Sequence, residues 1–97
     1  MRTITHADVV RVARSVMRVP EPCVRAEISR YLAQAHAADL YRKRFGRIHP
    51  FWGNGSLGGA VPHLPAGCME HSLSSPAYLR AIASVIEAVL DWRDRAE

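Results

Sequence analysis

The chain has 97 residues, and 48% of them are hydrophobic. It contains two cysteines and has a formal net charge of +4 at pH 7. Typical domains contain about 100–150 residues, so the length predicts one small domain over residues 1–97. The cysteines are too few for a disulfide scaffold, and no apolar run approaches the about 20 residues that cross a membrane. The Arg-containing start of the chain lacks the apolar stretch of a secretory signal. We therefore expect a cytoplasmic protein without membrane contact.

The charge is distributed unevenly along the chain. Residues 1–49 contain ten basic and four acidic residues, a net charge of +6, whereas residues 50–97 contain three basic and five acidic residues, a net charge of −2. Such asymmetry indicates that one region meets an anionic partner. The alternative is that the arginines only solvate helix faces.

The first predicted helix covers residues 5–18. Thr5 is its expected N-cap, and Asp8 follows three residues later in a variant of the capping box. Apolar residues then recur at helical spacing up to Val16 and Met17. Three arginines line another face of this helix: Arg11, Arg14 and Arg18.

The second predicted helix covers residues 22–45 and ends at Gly46, a residue suited to the position after a helix. Its buried stripe is expected to contain six residues: Val24, Ile28, Tyr31, Leu32, Ala35 and Ala38. Near the end of the helix the stripe is expected to shift toward Leu40, Tyr41 and Phe45.

Residues 46–75 are rich in glycine and proline, which predicts an irregular connection. Residues 53–58 match the pattern G-x-G-x-x-G of dinucleotide-binding loops, but a helix precedes them where that fold requires a strand. We therefore expect the glycines to form turns around Trp52.

The last predicted helix covers residues 76–94, with Ser75 as N-cap and Pro76 as its first residue. Its core stripe is expected to contain Leu79, Ile82, Ala83, Ile86, Val89 and Leu90. A second apolar line, formed by Tyr78, Val85 and Trp92, is expected to meet a protein partner or another subunit. The predicted fold is therefore all-α, with the second and last helices packed together.

The segment 41–52 contains four cations and four aromatic residues. Cationic side chains neutralise phosphates, and exposed rings stack on unpaired bases. The candidate phosphate ligands are Arg42, Lys43, Arg44 and Arg47, with Arg11, Arg14 and Arg18 assisting. The alternative is that the aromatic residues are core anchors and the cations solvate the helix end.

A metal site is a further candidate, because His63, Cys68 and His71 lie within nine residues. His49 or Cys23 would be the fourth ligand of a structural zinc ion. No paired Cys-x-x-Cys motif supports this site. The sequence also contains no nucleophile motif or evident acid–base pair, so we expect neither catalysis nor a cofactor.

Residues 5–9 and 38–57 resemble a family of short helical alphaproteobacterial proteins of unknown function. In size, helical layout and charge the chain is also similar to the small terminase subunits of phage-derived gene transfer agents. The second resemblance implies assembly into rings, DNA binding and docking onto an ATP-hydrolysing packaging motor. It implies no catalytic residue.

Together these observations predict a non-enzymatic adaptor that binds nucleic acid, with DNA as the first choice, largely without sequence specificity. A protein partner or a homo-oligomer is expected as well. The alternative is a protein–protein regulatory module that does not bind nucleic acid. The sequence leaves open the oligomeric state, the identity of the partner and the choice between DNA and RNA.

Overall fold

The computed structural model describes residues 3–62 and 73–96, and over these residues the fold is all-α, as predicted. The chain forms α1 at His6–Val16, α2 at Val24–Phe45, α3 at Leu57–Ala60 and α4 at Pro76–Ala96. A 3-10 turn at Glu21–Cys23 leads into α2. Within the described residues, the only β-type pairing is an isolated bridge between His49 and Gly53.

Helix α1 begins as its capping residues predict. The backbone N–H of Asp8 donates to Thr5 Oγ1 at 3.3 Å, and that of Thr5 donates to Asp8 Oδ2 at 3.0 Å. This reciprocal capping box satisfies two amides near the helix start that lack carbonyl partners within the helix. The helix ends at Val16, slightly before the predicted boundary.

Helix α2 has 22 residues and is therefore about 33 Å long. Gly46 follows it with φ +67°, and its N–H donates to the carbonyl oxygen of Arg42 at 2.8 Å. Glycine enters this left-handed region without a steric cost, so the helix ends here, as predicted.

A single core receives side chains from all four helices. The predicted buried stripe of α2 is confirmed from Ile28 to Ala38, whereas Val24 at its start is half-buried at the edge of the core. Tyr31 lies in the same stripe, and its hydroxyl oxygen is 3.1 Å from Ser15 Oγ of α1. Burial raises the pKa of this phenol. The tyrosine therefore joins α1 to α2 through both packing and a hydrogen bond.

The predicted packing of the second helix against the last is also confirmed. Arg25 of α2 forms ion pairs with Glu87, at 3.2 Å, and with Asp91 of α4. Farther along the same pair of helices, the ring of His36 meets that of Trp92 edge-on, with centroids 5.9 Å apart. These contacts join α2 to the C-terminal half of α4.

The prediction that the stripe of α2 continues to its end is wrong for two of three residues. Leu40 and Phe45 are exposed, and Tyr41 is half-buried. The last turns of α2 lie beyond the common core cluster, so their apolar residues have less to pack against.

The assignment of the two apolar faces of α4 is also wrong. Tyr78 and Val85 are buried in the core and Trp92 is half-buried against it, so this line is not a partner surface. The same face carries Ala81 and Ala88, whose small side chains allow α1 and α2 to approach closely.

The opposite face of α4 was predicted to be core but is mostly exposed. Leu79 is 47% exposed, Ile86 46% and Leu90 56%. Ala83 is exposed beside them, whereas Ile82 and Val89 are half-buried at the edge of the core. The last helix therefore presents large apolar side chains to solvent.

Candidate nucleic-acid interface

The end of α2 and the turn that follows it bring the basic and aromatic residues of segment 41–52 together. After Gly46 the chain reverses between His49 and Gly53, whose backbones form the isolated bridge. The Nδ1 atom of His49 accepts hydrogen bonds from the backbone N–H groups of Phe51 and Trp52, both at 3.1 Å. His49 therefore fixes the shape of the turn.

Stacked rings hold this turn against α2. The His49 and Trp52 rings are nearly parallel with centroids 4.6 Å apart, and Tyr41 meets His49 edge-on at 4.9 Å. Tyr41 also contacts Phe45 at 4.7 Å. Tyr41 and Trp52 are half-buried, so these two residues anchor the turn. This agrees with the alternative prediction that the aromatic residues of the segment are anchors.

Other apolar side chains of the segment remain outside. Phe51 is 83% exposed and Phe45 is 51% exposed, and Ile48 between them is exposed as well. The guanidinium of Arg44 lies 5.4 Å from the centre of the Phe45 ring, within cation–π range. The surface therefore offers ring faces and positive charge side by side.

The four predicted phosphate ligands are not equivalent. Lys43 Nζ pairs with Asp39 Oδ2 at 2.9 Å, and this contact is the main reason why the pKa of Asp39 lies below its usual value. Arg44 and Arg47 are exposed and Arg42 is half-buried. Among residues 3–62 and 73–96, no carboxylate forms an ion pair with any of these three arginines. We call Arg42, Arg44 and Arg47, with Phe45 and Phe51, the basic-aromatic surface.

The arginines of α1 are more closely engaged with the protein. Arg11 is half-buried against α3, where a Cβ added to Gly58 would lie 3.4 Å from its Cδ atom. Arg14 and Arg18 each take part in an interaction with the chain. Their contribution to phosphate binding stays a prediction.

The glycine-rich segment is a structural connection, and its amides are used within the chain. Asn54 Oδ1 accepts from the backbone N–H and the hydroxyl of Ser56, and Ser56 Oγ accepts from the N–H of Gly59. The N–H of Gly58 donates to Asp8 Oδ1 at 3.1 Å, so the capping carboxylate of α1 also ties down α3. Positive φ values at Gly53 and Gly55 confirm the predicted turns.

Sequence reasoning missed Asp39, whose carboxylate connects α2 to the glycine-rich segment. It is 3% exposed, and Gly55 lies so close that an added Cβ would be 2.9 Å from Asp39 Cα. The sequence did contain a signal for this role. Asp39 follows Ile28 by eleven positions and Ala35 by four, so it lies on the same helix face as the buried residues of the stripe. A carboxylate on an apolar stripe indicates a buried ion pair.

The proposed zinc ligands His63, Cys68 and His71 lie outside the described residues. Of the suggested fourth ligands, His49 uses Nδ1 to cap its turn and Cys23 is exposed. Within the part of the chain that the structure describes, no three His, Cys, Asp or Glu residues are grouped for a metal ion. None of the helices described combines the length and hydrophobicity needed to cross a bilayer.

A family model described as a domain of unknown function, DUF7742, matches residues 2–89. The match covers most of the chain, so the protein belongs to this family, in agreement with the predicted resemblance to a family without an assigned function. No curated protein and no solved structure matches the chain. The resemblance to small terminase subunits and the alphaproteobacterial origin stay predictions.

Proposed function

We propose that this DUF7742 protein is a non-enzymatic adaptor that binds nucleic acid through the basic-aromatic surface, largely without sequence specificity. One observation carries the proposal. Arg44 and Arg47 are exposed and form no ion pair with the described carboxylates, and the exposed rings of Phe45 and Phe51 lie in the same short segment.

The arginines supply the phosphate contacts in this proposal. A guanidinium with no carboxylate partner can neutralise a phosphate without first breaking an ion pair, and each contact releases a condensed counterion. Lys43 contributes less, because its ammonium group already pairs with Asp39. With contacts from Arg42, Arg44 and Arg47, a plot of the logarithm of the binding constant against the logarithm of the salt concentration should fall with a slope of about two to three.

The exposed phenyl rings favour single strands over duplex. An aromatic side chain stacked on an unpaired base contributes about 1–3 kcal/mol, whereas the bases of a duplex are already stacked. Phe51 is suited to this role, since its own backbone N–H is held by His49 while the ring remains in solvent. The contact requires no base-edge hydrogen bond, which is consistent with binding that ignores sequence.

Packaging of DNA is a narrower form of the same proposal, derived from the resemblance to small terminase subunits. It requires docking onto a large, ATP-hydrolysing subunit in addition to DNA binding. Co-purification of this protein with such a subunit from the same genome would support a role in packaging. A failure to co-purify would argue against packaging but not against nucleic-acid binding.

A protein–protein regulatory module is the second candidate. The apolar residues Leu40, Phe45, Ile48 and Phe51 are all exposed at the end of α2, and such a patch also suits an apolar pocket on another protein. Binding through this patch would be insensitive to salt, which separates it from a phosphate contact.

The test is fluorescence anisotropy with labelled single-stranded and duplex oligonucleotides over a series of salt concentrations. The double variant Arg44→Gln, Arg47→Gln should lower the log–log salt slope by about two and weaken binding to all sequences alike. Lys43→Gln is the matched control, because it removes one charge from the same helical turn but from a residue already paired. Its slope should change little.

Two results would contradict the proposal. The first is an absence of binding to either oligonucleotide at low salt. The second is an equal loss of affinity in the Lys43→Gln control and the double variant, with thermal unfolding showing that both are folded. Binding that survives high salt and is lost in Phe51→Ser would favour the protein-interaction candidate.

A further inference from the structure

The exposed apolar face of α4 forms a regular seam that residues 3–62 and the rest of the described chain do not cover. Leu79, Ala83, Ile86 and Leu90 are all exposed, and they follow one another at intervals of four, three and four residues. This is the heptad spacing with which two helices pack along a shared seam. We call these four residues the α4 seam.

The two flanks of the seam differ in character. Ile82 and Val89 border it on one side and are half-buried against the core. Arg80 and Glu87 border it on the other side, seven residues or one heptad apart, and both are exposed. Each seam therefore has a cation near its N-terminal end and an anion near its C-terminal end.

We propose that the α4 seam binds the α4 seam of a second copy of this chain in an antiparallel, two-fold symmetric dimer. A two-fold interface must be complementary to itself. In the antiparallel register Leu79 faces Leu90 of the partner subunit, and Ala83 faces Ile86 of the partner subunit. The small alanine opposite the large isoleucine allows close packing at the centre.

Charge complementarity selects this orientation. With the helices antiparallel, Arg80 lies beside Glu87 of the partner subunit, and the symmetry operation forms the same pair a second time. Glu87 is 70% exposed although it already pairs with Arg25, so its carboxylate can accept a second guanidinium. Parallel helices would instead place the flank with Arg80 and Glu87 against the apolar Ile82 and Val89 flank of the partner subunit, where these charges meet no opposite charge.

The size of the seam sets the strength of the dimer. It extends over twelve residues, or about 17 Å of helix, and presents three large apolar side chains. Three half-exposed side chains can bury only part of the about 800 Å² per partner of a standard stable interface, so the dimer is expected to be weak and concentration-dependent. The proposal does not rest on nucleic-acid binding, because the seam and the basic-aromatic surface share no residue.

Sedimentation velocity over a wide range of protein concentration tests the dimer. The wild-type chain should shift from monomer toward dimer as concentration rises, and Ile86→Glu should weaken this association by about tenfold or more. Leu40→Ser is the matched control, since it removes an equally exposed apolar residue outside the seam. A wild-type chain that is monomeric at every concentration would overturn the proposal.

Charge reversal tests the orientation. Arg80→Glu should weaken the dimer because two acidic groups then face each other, and the double variant Arg80→Glu, Glu87→Arg should restore it. The restoration is specific to the antiparallel register. Weakening in the single variant without recovery in the double variant, with both folded, would contradict the orientation.

Disulfide cross-linking provides a second readout of the orientation, because it reports which positions of the two helices lie opposite each other. In chains whose native cysteines are replaced by serine, a mixture of Leu79→Cys and Leu90→Cys should form a cross-linked heterodimer under mild oxidation. Neither variant alone should cross-link. Cross-linking of Leu79→Cys with itself would indicate parallel helices and would overturn the antiparallel dimer.

Discussion

At the scale of single residues, Asp39 connects the core to the candidate interface. Its carboxylate is buried, pairs with Lys43 and lies directly against the backbone of Gly55. The same residue therefore helps to hold the glycine-rich segment and removes one of four cations from the surface available to an anion. Arg44 and Arg47 are left as the exposed cations of that surface that pair with no carboxylate among the described residues.

The contact between Gly55 and Asp39 predicts a large effect of a single methyl group. Gly55→Ala would place its Cβ 2.9 Å from Asp39 Cα in a backbone conformation with φ +95°. We expect a loss of about 2 kcal/mol or more in the free energy of unfolding, measured with urea. Gly46→Ala is the control, because it also has positive φ but open space around it, and its cost should be about 1 kcal/mol. An equal cost for both variants would contradict the close contact.

The pair Asp39–Lys43 predicts how stability depends on pH. The ion pair lowers the pKa of Asp39 in the folded state below that of the unfolded chain, about 3.9. The unfolded state therefore binds the proton more tightly, so this stabilisation is present above that pH and is lost as pH falls through the folded-state pKa. Lys43→Gln should reduce stability near neutral pH and flatten the acid limb of a plot of unfolding free energy against pH. An unchanged acid limb would contradict the assignment.

At the scale of helices and turns, the predictions that depended on neighbouring residues in the chain are confirmed. The capping of α1 by Thr5 and Asp8 and the end of α2 at Gly46 follow from side chains within one turn of the helix terminus. The stacking of Tyr41, His49 and Trp52 could not be predicted in the same way. It depends on the path of the chain after Gly46, which periodicity does not specify.

The two faces of α4 show why periodicity alone was insufficient. Both faces are apolar at helical spacing, and the prediction from periodicity placed the line of Tyr78, Val85 and Trp92 at a partner surface. The structure buries the face that carries Ala81 and Ala88, because α1 and α2 can approach these small residues closely. Hydrophobicity identified both stripes, but which of them became core depended on how α1 and α2 pack against α4, which periodicity does not specify.

This choice of face predicts that the same substitution destabilises the protein at one alanine of α4 and has almost no effect at another. Ala88→Leu adds volume inside the packed core and should lower the free energy of unfolding by about 1–3 kcal/mol. Ala83→Leu adds the same volume in solvent and should leave the stability of the monomer nearly unchanged. Urea unfolding of both variants at low protein concentration measures the difference. Greater destabilisation by Ala83→Leu would mean that the faces are assigned incorrectly.

At the scale of the whole molecule, the basic-aromatic surface and the α4 seam are formed by different parts of the chain. The basic first half of the chain supplies the cations at the end of α2, and the acidic second half supplies Glu87 beside the α4 seam. A dimer through α4 would place two basic-aromatic surfaces in one particle. Two linked sites bind one strand more tightly than either site alone when the strand can reach both.

Backbone-amide NMR during titration with a short single-stranded oligonucleotide tests the central claim most directly. We expect the largest shift changes at Arg44, Arg47 and Phe51 and at the adjoining backbone, with the amides of the α4 seam little affected. Raising the salt concentration should reverse these changes, because the contact is with phosphate. An absence of shift changes at the end of α2, or changes concentrated on α4, would contradict nucleic-acid binding at the basic-aromatic surface.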